Sequence, residues 1–265
     1  MSLSTNSYRL AVLAILAAPP ALAQDAADLA KELSNPVASL ISLPYQLNYD
    51  SGFGPDGDGE RTLLNIQPVI PIGLGENWNL ISRTIIPVIH QSDVLPGRTQ
   101  TGVGDVLQSL FLSPKEPTAN GLIWGVGPVF LLPTASDDLG ADQFAMGVTG
   151  VVLKQSGPWT FGALSNLLWD AGGGSDPTDI STSDLQPFVN YTTPDALTIA
   201  LNAEASYDWV QNEGSLPINL LATKVVKLGP NLVSIGGGLR YWVDGPEAGP
   251  DGWGARAIVT FLFPR

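Results

Sequence analysis

The chain has 265 residues, 12 basic and 25 acidic, for a net charge of −13, and it contains no cysteine. The sign of the charge excludes nucleic acid as a partner, and the missing cysteine excludes a disulfide framework or a lipidated-cysteine anchor. Hydrophobic residues reach 44% but charged ones only 14%, against about 25% in an ordinary soluble domain.

Arg9 is followed by the apolar run Leu10 to Ala18, then Pro19-Pro20 and Ala21-Leu22-Ala23-Gln24. This order reads as a cleaved secretion signal over residues 1–23, with cleavage after Ala23. The run is well short of the ~18 residues a spanning helix needs, and no later segment approaches that length. Residues 24–37 read as a periplasmic lead-in, with Gln24 to Leu33 a short helix or a disordered stretch.

From residue 38 to 265 strand-like segments recur, about twelve of them. They lie near 38–50, 60–72, 78–89, 102–112, 121–133, 143–154, 157–169, 183–193, 196–208, 215–227, 231–243 and 252–263. Most exceed the 5–6 residues of a soluble strand and match the ~9–11 of a tilted membrane strand. Glycine and proline punctuate them. Long connections alternate with tight ones such as Gly73-Leu74-Gly75-Glu76-Asn77 and Gly229-Pro230-Asn231. Most acidic residues fall in the long connections: 50–60, 90–101, 134–143, 170–184, 208–214 and 244–252. An all-β, up-and-down transmembrane barrel of about 12 antiparallel strands gives this alternation by construction, with short periplasmic turns and longer external loops. A soluble β-sandwich is the competing fold.

Pattern within strands sorts the side chains. In the last segment Trp253, Ala255, Ala257, Val259, Phe261 and Phe263 share one face, with Arg256 and Thr260 on the other. The first opposes Leu43, Tyr45, Leu47 and Tyr49 to Ser42, Gln46, Asn48 and Asp50. Segments 122–133 and 144–153 are apolar or glycine on both faces, so their register stays open or that part of the lumen is apolar. Pro68, Pro71, Pro87 and Pro128 lie inside strand-like runs and require bulges or strand ends. Trp78, Trp124, Trp159, Trp169, Trp209, Trp242 and Trp253 fall near strand ends, where aromatic rings meet lipid headgroups.

A charge on the lipid face costs about 2–4 kcal/mol at mid-membrane, so polar and charged strand residues are expected to point inward. The lumen or constriction candidates are Arg83, Glu204, Arg240, Arg256, Gln46, Asn48, Asn65, Gln67, Asn166 and Asn190. Arg and Glu in one narrow interior form either a filter for solutes or salt bridges that plug the barrel.

The proline-punctuated strands Asn65-Ile66-Gln67-Pro68-Val69-Ile70-Pro71-Ile72, Arg83-Thr84-Ile85-Ile86-Pro87-Val88-Ile89 and Gly125-Val126-Gly127-Pro128-Val129-Phe130 occur with Leu33-Ser34-Asn35-Pro36-Val37 and Gly102-Val103-Gly104-Asp105. Together these resemble a family of bacterial outer-membrane proteins labelled as transporters, or as components of a phenol-degradation (MetA) pathway. The resemblance implies a β-barrel with a transport role and carries no site residues. At one further point, His90-x-Ser92, the chain looks similar to outer-membrane phospholipase A, where a His-x-Ser pair is oriented by an Asn. No Asn lies in the segment that follows here, and a plain loop histidine is the alternative.

Spacing of metal ligands is absent; Asp56-Gly57-Asp58-Gly59-Glu60 could offer calcium oxygens but reads first as a solvated acidic loop. Gly172-Gly173-Gly174 and Gly236-Gly237-Gly238 lack the strand-to-helix setting of a phosphate cradle. No catalytic residue, cofactor or metal is expected, and the protein is expected not to be an enzyme. The reading is an outer-membrane channel or transporter passing small, apolar or aromatic molecules by passive diffusion. Its partners are outer-membrane lipid and lipopolysaccharide and a small-molecule solute. The alternatives are a plugged structural or adhesive barrel binding a partner through acidic external loops, and a lipid hydrolase.

Overall fold

The computed structural model describes residues 20–136, 138–172 and 179–264. Most of the expected signal (residues 1–19), together with Gly173, Gly174 and Asp176 of the fourth acidic loop, lies outside them. Helix α1 (Pro20–Leu33) is rich in alanine, the strongest helix former, and ends before Asn35-Pro36, since the residue before proline avoids the α region. It precedes β1 (Ile41–Phe53), β2 (Gly59–Ile66), β3 (Val69–Leu74), β4 (Trp78–Ser92), β5 (Thr99–Val103), β6 (Val106–Pro114), β7 (Leu122–Leu132) and β8 (Phe144–Ser156). Then come β9 (Trp159–Gly172), β10 (Ser181–Thr192), β11 (Leu197–Ala203), β12 (Ala205–Asp208), β13 (Glu213–Leu228), β14 (Asn231–Asp244) and β15 (Gly252–Phe263).

All pairings are antiparallel between neighbours in the chain, and β15 returns to β1 from Ile41↔Phe263 to Tyr49↔Ala255. The sheet therefore closes. The pairs β2–β3, β5–β6 and β11–β12 each make up one broken strand, so the barrel has 12 strands. Each break is chemical. Pro68 interrupts β2–β3, where Gln67 N–H turns to Pro44 O at 2.9 Å. The β5–β6 break follows Gly104, whose N–H reaches Pro87 O at 2.9 Å. At Glu204 the facing residue is Pro217; Glu204 N–H bonds Pro217 O at 3.0 Å, but Pro217 has no N–H to return. The internal prolines are thus accommodated at strand breaks and local gaps in the ladder.

Polarity is inverted relative to a soluble protein. Trp253 (64% exposed), Leu239 (56%) and Leu220 (54%) lie outside, while Arg256 is 4% and Asn219 0% exposed. Water cannot be the solvent of that exterior; hydrocarbon can. Ring pairs mark two belts: Trp78–Trp124 and Trp159–Tyr191 at the end with the short turns, Tyr207–Trp209 and Tyr241–Trp253 at the end with the long loops. Trp242 departs from the headgroup expectation. It shares the inward parity of Arg240 and points into the barrel. No described helix is long and apolar enough to cross a membrane, a statement that says nothing of crossing by strands.

The lumen is filled unevenly. Ile81, Phe111, Val151, Leu153 and Leu164 form an apolar wall with Val37, so the two-faced apolar character of 122–133 and 144–153 reflects a truly apolar interior there. At the short-turn end α1 and the residues after it enter the mouth: Ala30, Ala38 and Leu40 pack with Ala196, Val225 and Leu262. Ser34 Oγ donates to Ala30 O at 3.1 Å, and Gln155 near the end of β8 donates to Lys31 O at 2.9 Å.

Candidate functional site in the lumen

The register of β1, β14 and β15 sets the charged wall. Asn48 faces Arg256, which faces Gly238; one inward step further, Gly254 faces Arg240, which faces Asn219. Each arginine therefore has a glycine beside it. At Gly254 a Cβ would meet Asp50 Oδ1 at 2.5 Å and Tyr49 O at 2.6 Å. The missing side chain leaves room for Asp50 to reach the centre.

Glu204 is the hub. Arg256 Nη1 donates to its Oε1 at 2.7 Å and Nη2 to Oε2 at 3.0 Å, a fork-on-fork pair. Arg240 Nη1 adds a bond to Oε2 at 3.1 Å. Arg256 Nε is held by Asn48 Oδ1 at 2.6 Å. Arg240 Nε lies 3.2 Å from Asp50 Oδ1 as an ion pair, without hydrogen-bond alignment. Trp242 fixes that carboxylate through Nε1 at 2.8 Å and carries the Arg240 guanidinium 4.6 Å above its ring. Asn219 bonds Asn202 at 2.8 Å, leaving its own Oδ1 buried without a partner.

Two more arginines enter the same interior. Arg61, across from Asp50 in the register, bonds Gln91 at 2.8 Å and lies over Phe53. Arg83 Nη2 bonds Gln67 Oε1 at 3.1 Å and makes no ion pair with any described carboxylate. The acid whose charge reaches it is Glu204, already engaged by two arginines.

All ten sequence candidates lie at inward parity. Arg240, Arg256, Glu204 and Asn48 meet in one network, and Arg83 with Gln67 sits beneath it. Gln46 and Asn65 pair across β1 and β2. Asn166 accepts from Thr149 at 2.7 Å on the opposite wall, and Asn190 lines a cavity by α1. Asp50, Arg61, Asn219 and Trp242 are the members that sequence reasoning missed. Asp50, on the polar face of the first strand and at the edge of the acidic stretch 50–60, lies well inside the strand, because β1 continues to Phe53.

Between the network and α1 lies a cavity of about 200 Å³. Arg83, Gln67, Val69, Gln186, Leu164 and Phe188 line it, with Leu33 and Pro36 as its floor. Glu32 sits at its rim, and burial raises the Glu32 carboxyl above the usual carboxylate range.

His90 and Ser92 both face outward. His90 Nδ1 meets Thr101 Oγ1 at 2.7 Å, and no described hydrogen bond joins His90 to Ser92. No group of three metal-ligating side chains occurs among the described residues.

Closed ladder, lipid-facing exterior and charged lumen define a twelve-stranded outer-membrane β-barrel. No protein-family model matches this chain, and no curated protein does. Among solved structures it is similar to an outer-membrane channel from Pseudomonas putida F1, with a TM-score of 0.64 and 15% identity over 84% of this chain and 94% of that one. It is more distantly similar to outer membrane phospholipase A from Escherichia coli, at 10% identity and a TM-score of 0.49 over 84% and 96%. These likenesses concern the fold, and the fold is the one that the sequence resemblance implied.

Proposed function

We propose that the protein is an outer-membrane channel that passes small molecules by passive diffusion, with α1 as its periplasmic stopper. The observation that carries this reading is the division of the lumen. An arginine-rich wall on β2, β4, β14 and β15 faces an apolar wall around Phe111, Leu153 and Leu164. A barrel needing only to stand in the membrane gains nothing from four arginines around two acids, since apolar packing of the same volume is often as stable. The structural neighbour from Pseudomonas putida F1, itself an outer membrane channel, supports the same reading. The solutes it fits are small, with an apolar or aromatic body. The cleaved signal would end after Ala23, leaving the packed part of α1 in the mature chain. The acidic external loops would repel anions at the mouth and hold divalent cations bridging to lipopolysaccharide.

A planar-bilayer recording of the refolded protein tests this. Discrete conductance steps support a channel. Their absence from correctly inserted barrels favours the second reading, a plugged structural barrel whose loops bind a partner; α1 in the mouth and the buried Arg256–Glu204 pair favour that reading. The hydrolase reading predicts fatty-acid release that His90→Ala and Ser92→Ala abolish; the channel reading predicts no release, and conductance unchanged by either substitution.

A further inference from the structure

We propose that the cavity beneath Arg83 is a binding site for a small aromatic monocarboxylate, held by its carboxylate on Arg83 and by its ring between Phe188, Leu164 and Val69. The inference deepens the channel reading and rests on it for its biological sense, though the site itself does not require transport.

The charges point to an anion. The chain as a whole is strongly acidic, yet its lumen gathers Arg61, Arg83, Arg240 and Arg256 around Asp50 and Glu204, with Asp184 facing in beside Asn166 on the other wall. Glu204 is shared by two arginines and Asp50 is held by Arg240 and Trp242. Arg83 is left with one amide oxygen, that of Gln67, at 3.1 Å. Charges withdrawn from bulk water are normally paired; this half-buried one faces a cavity instead. A guanidinium presents two parallel N–H groups, the geometry that a carboxylate fills. Gln67 and Gln186 line the same cavity and supply amide N–H groups for the remaining oxygen lone pairs.

Size and lining point to the ring. An apolar cavity of about 150 Å³ takes a benzene molecule, and this one measures about 200 Å³, leaving room for a carboxylate beyond the ring. Leu164, Phe188, Val69, Leu33 and Pro36 give it apolar sides, with the charge at one end. A few placed polar groups in an apolar pocket are the usual form of a small-molecule site. Glu32 is the one acid on the lining and sits at the periplasmic rim, where it also borders a second cavity with Asp28, Lys31 and Lys115. The acidic rim outside does not cancel the attraction, because exposed charges are screened beyond about 8 Å at physiological salt.

The test is calorimetric titration of the full barrel in detergent micelles with benzoate, benzyl alcohol and acetate in turn. Benzoate is expected to bind saturably, and each of the other two at least tenfold more weakly, since one lacks the charge and the other the ring. Arg83→Gln should weaken benzoate roughly tenfold to hundredfold, the range of a lost hydrogen bond to a charge, with Arg83→Lys between the two. Leu164→Trp, which fills the cavity without touching charge, should abolish binding. Heat-modifiable gel mobility reports whether each variant has folded. If one has not, the comparison of the three ligands on the unaltered protein still decides. No benzoate binding, or equal binding of the three, overturns the site. Benzoate that binds but does not cross liposomes leaves the site standing and removes the channel reading; flux without binding does the reverse.

Discussion

Arg256 lays both terminal guanidinium nitrogens on the carboxylate of Glu204, at 2.7 and 3.0 Å, from strands far apart in the chain. The pair ties β15 to the break between β11 and β12 and is the centre of the lumen's charge. Removing one partner of a buried pair strands the other, at a cost of about 3–5 kcal/mol. Glu204→Gln should therefore lower the unfolding free energy extrapolated from urea denaturation by an amount in that range. It should also leave Arg240 and Arg256 without their shared counter-charge, so ion selectivity measured by reversal potential shifts toward anions.

Arginines in the network fill the lumen as well as charge it. Arg240→Ala and Arg256→Ala should each enlarge the single-channel conductance and move selectivity toward cations. Arg256→Ala should have the larger effect, because it also frees Asn48. Unchanged conductance in both would place the permeation path elsewhere.

Gly254 is required by close approach rather than by its backbone angle. The Cβ of Gly254→Ala would press against Asp50 Oδ1 and Tyr49 O, displacing the carboxylate that Trp242 and Arg240 hold. The expected outcome is a lower refolding yield and a loss of the Trp242 near-ultraviolet dichroism, with the overall strand content intact.

The barrel was legible because a lipid-facing strand writes its two faces into every second residue. In β15, Arg256 and Thr260 are inward and Trp253 to Phe263 outward, as the period requires. Residues that escaped did so for local reasons. Asp50 shares the polar face of the first strand with Asn48, but as the first of the acids from Asp50 to Glu60 it also reads as part of a solvated loop; the pairing Asp50↔Arg61 shows that the ladder runs on past both residues. Trp242 sits near a strand end like the girdle tryptophans, which masked the plain two-residue step from Arg240 that puts it on the inward face. Nothing in Gln24 to Leu33 says that the helix enters the mouth. Its alanines are short enough to fit a lumen, but they suit a free helix equally.

Glu32 should give the short-turn end of the barrel a pH dependence. Its carboxyl is raised by burial, so the docked helix prefers the protonated acid. That preference works against docking at neutral pH, and the penalty fades as pH falls through the raised value toward the unfolded one, near 4.3. Open probability in bilayers should accordingly fall on acidification from pH 7 toward 4. Glu32→Gln should hold the low-pH behaviour at pH 7 and remove the dependence. Because Glu32 is also the one acid on the lining of the Arg83 cavity, the same substitution should tighten benzoate at neutral pH.

Deleting residues 26–34 tests the stopper directly. The twelve-stranded ladder closes through β1 and β15 without any bond from α1, and the helix contributes Ala26, Ala27, Leu29, Ala30 and Leu33 to a cluster whose other members belong to the barrel wall or to the segment leading into β1. The deleted protein should thus still insert and run as a folded species on a heat-modifiable gel. Its conductance should rise and lose the pH dependence assigned to Glu32. Benzoate binding should weaken as well, since Leu33 forms part of the cavity floor. A deletion that leaves conductance where it was would mean that the Arg256–Glu204 network, not α1, sets the narrowest point of the path.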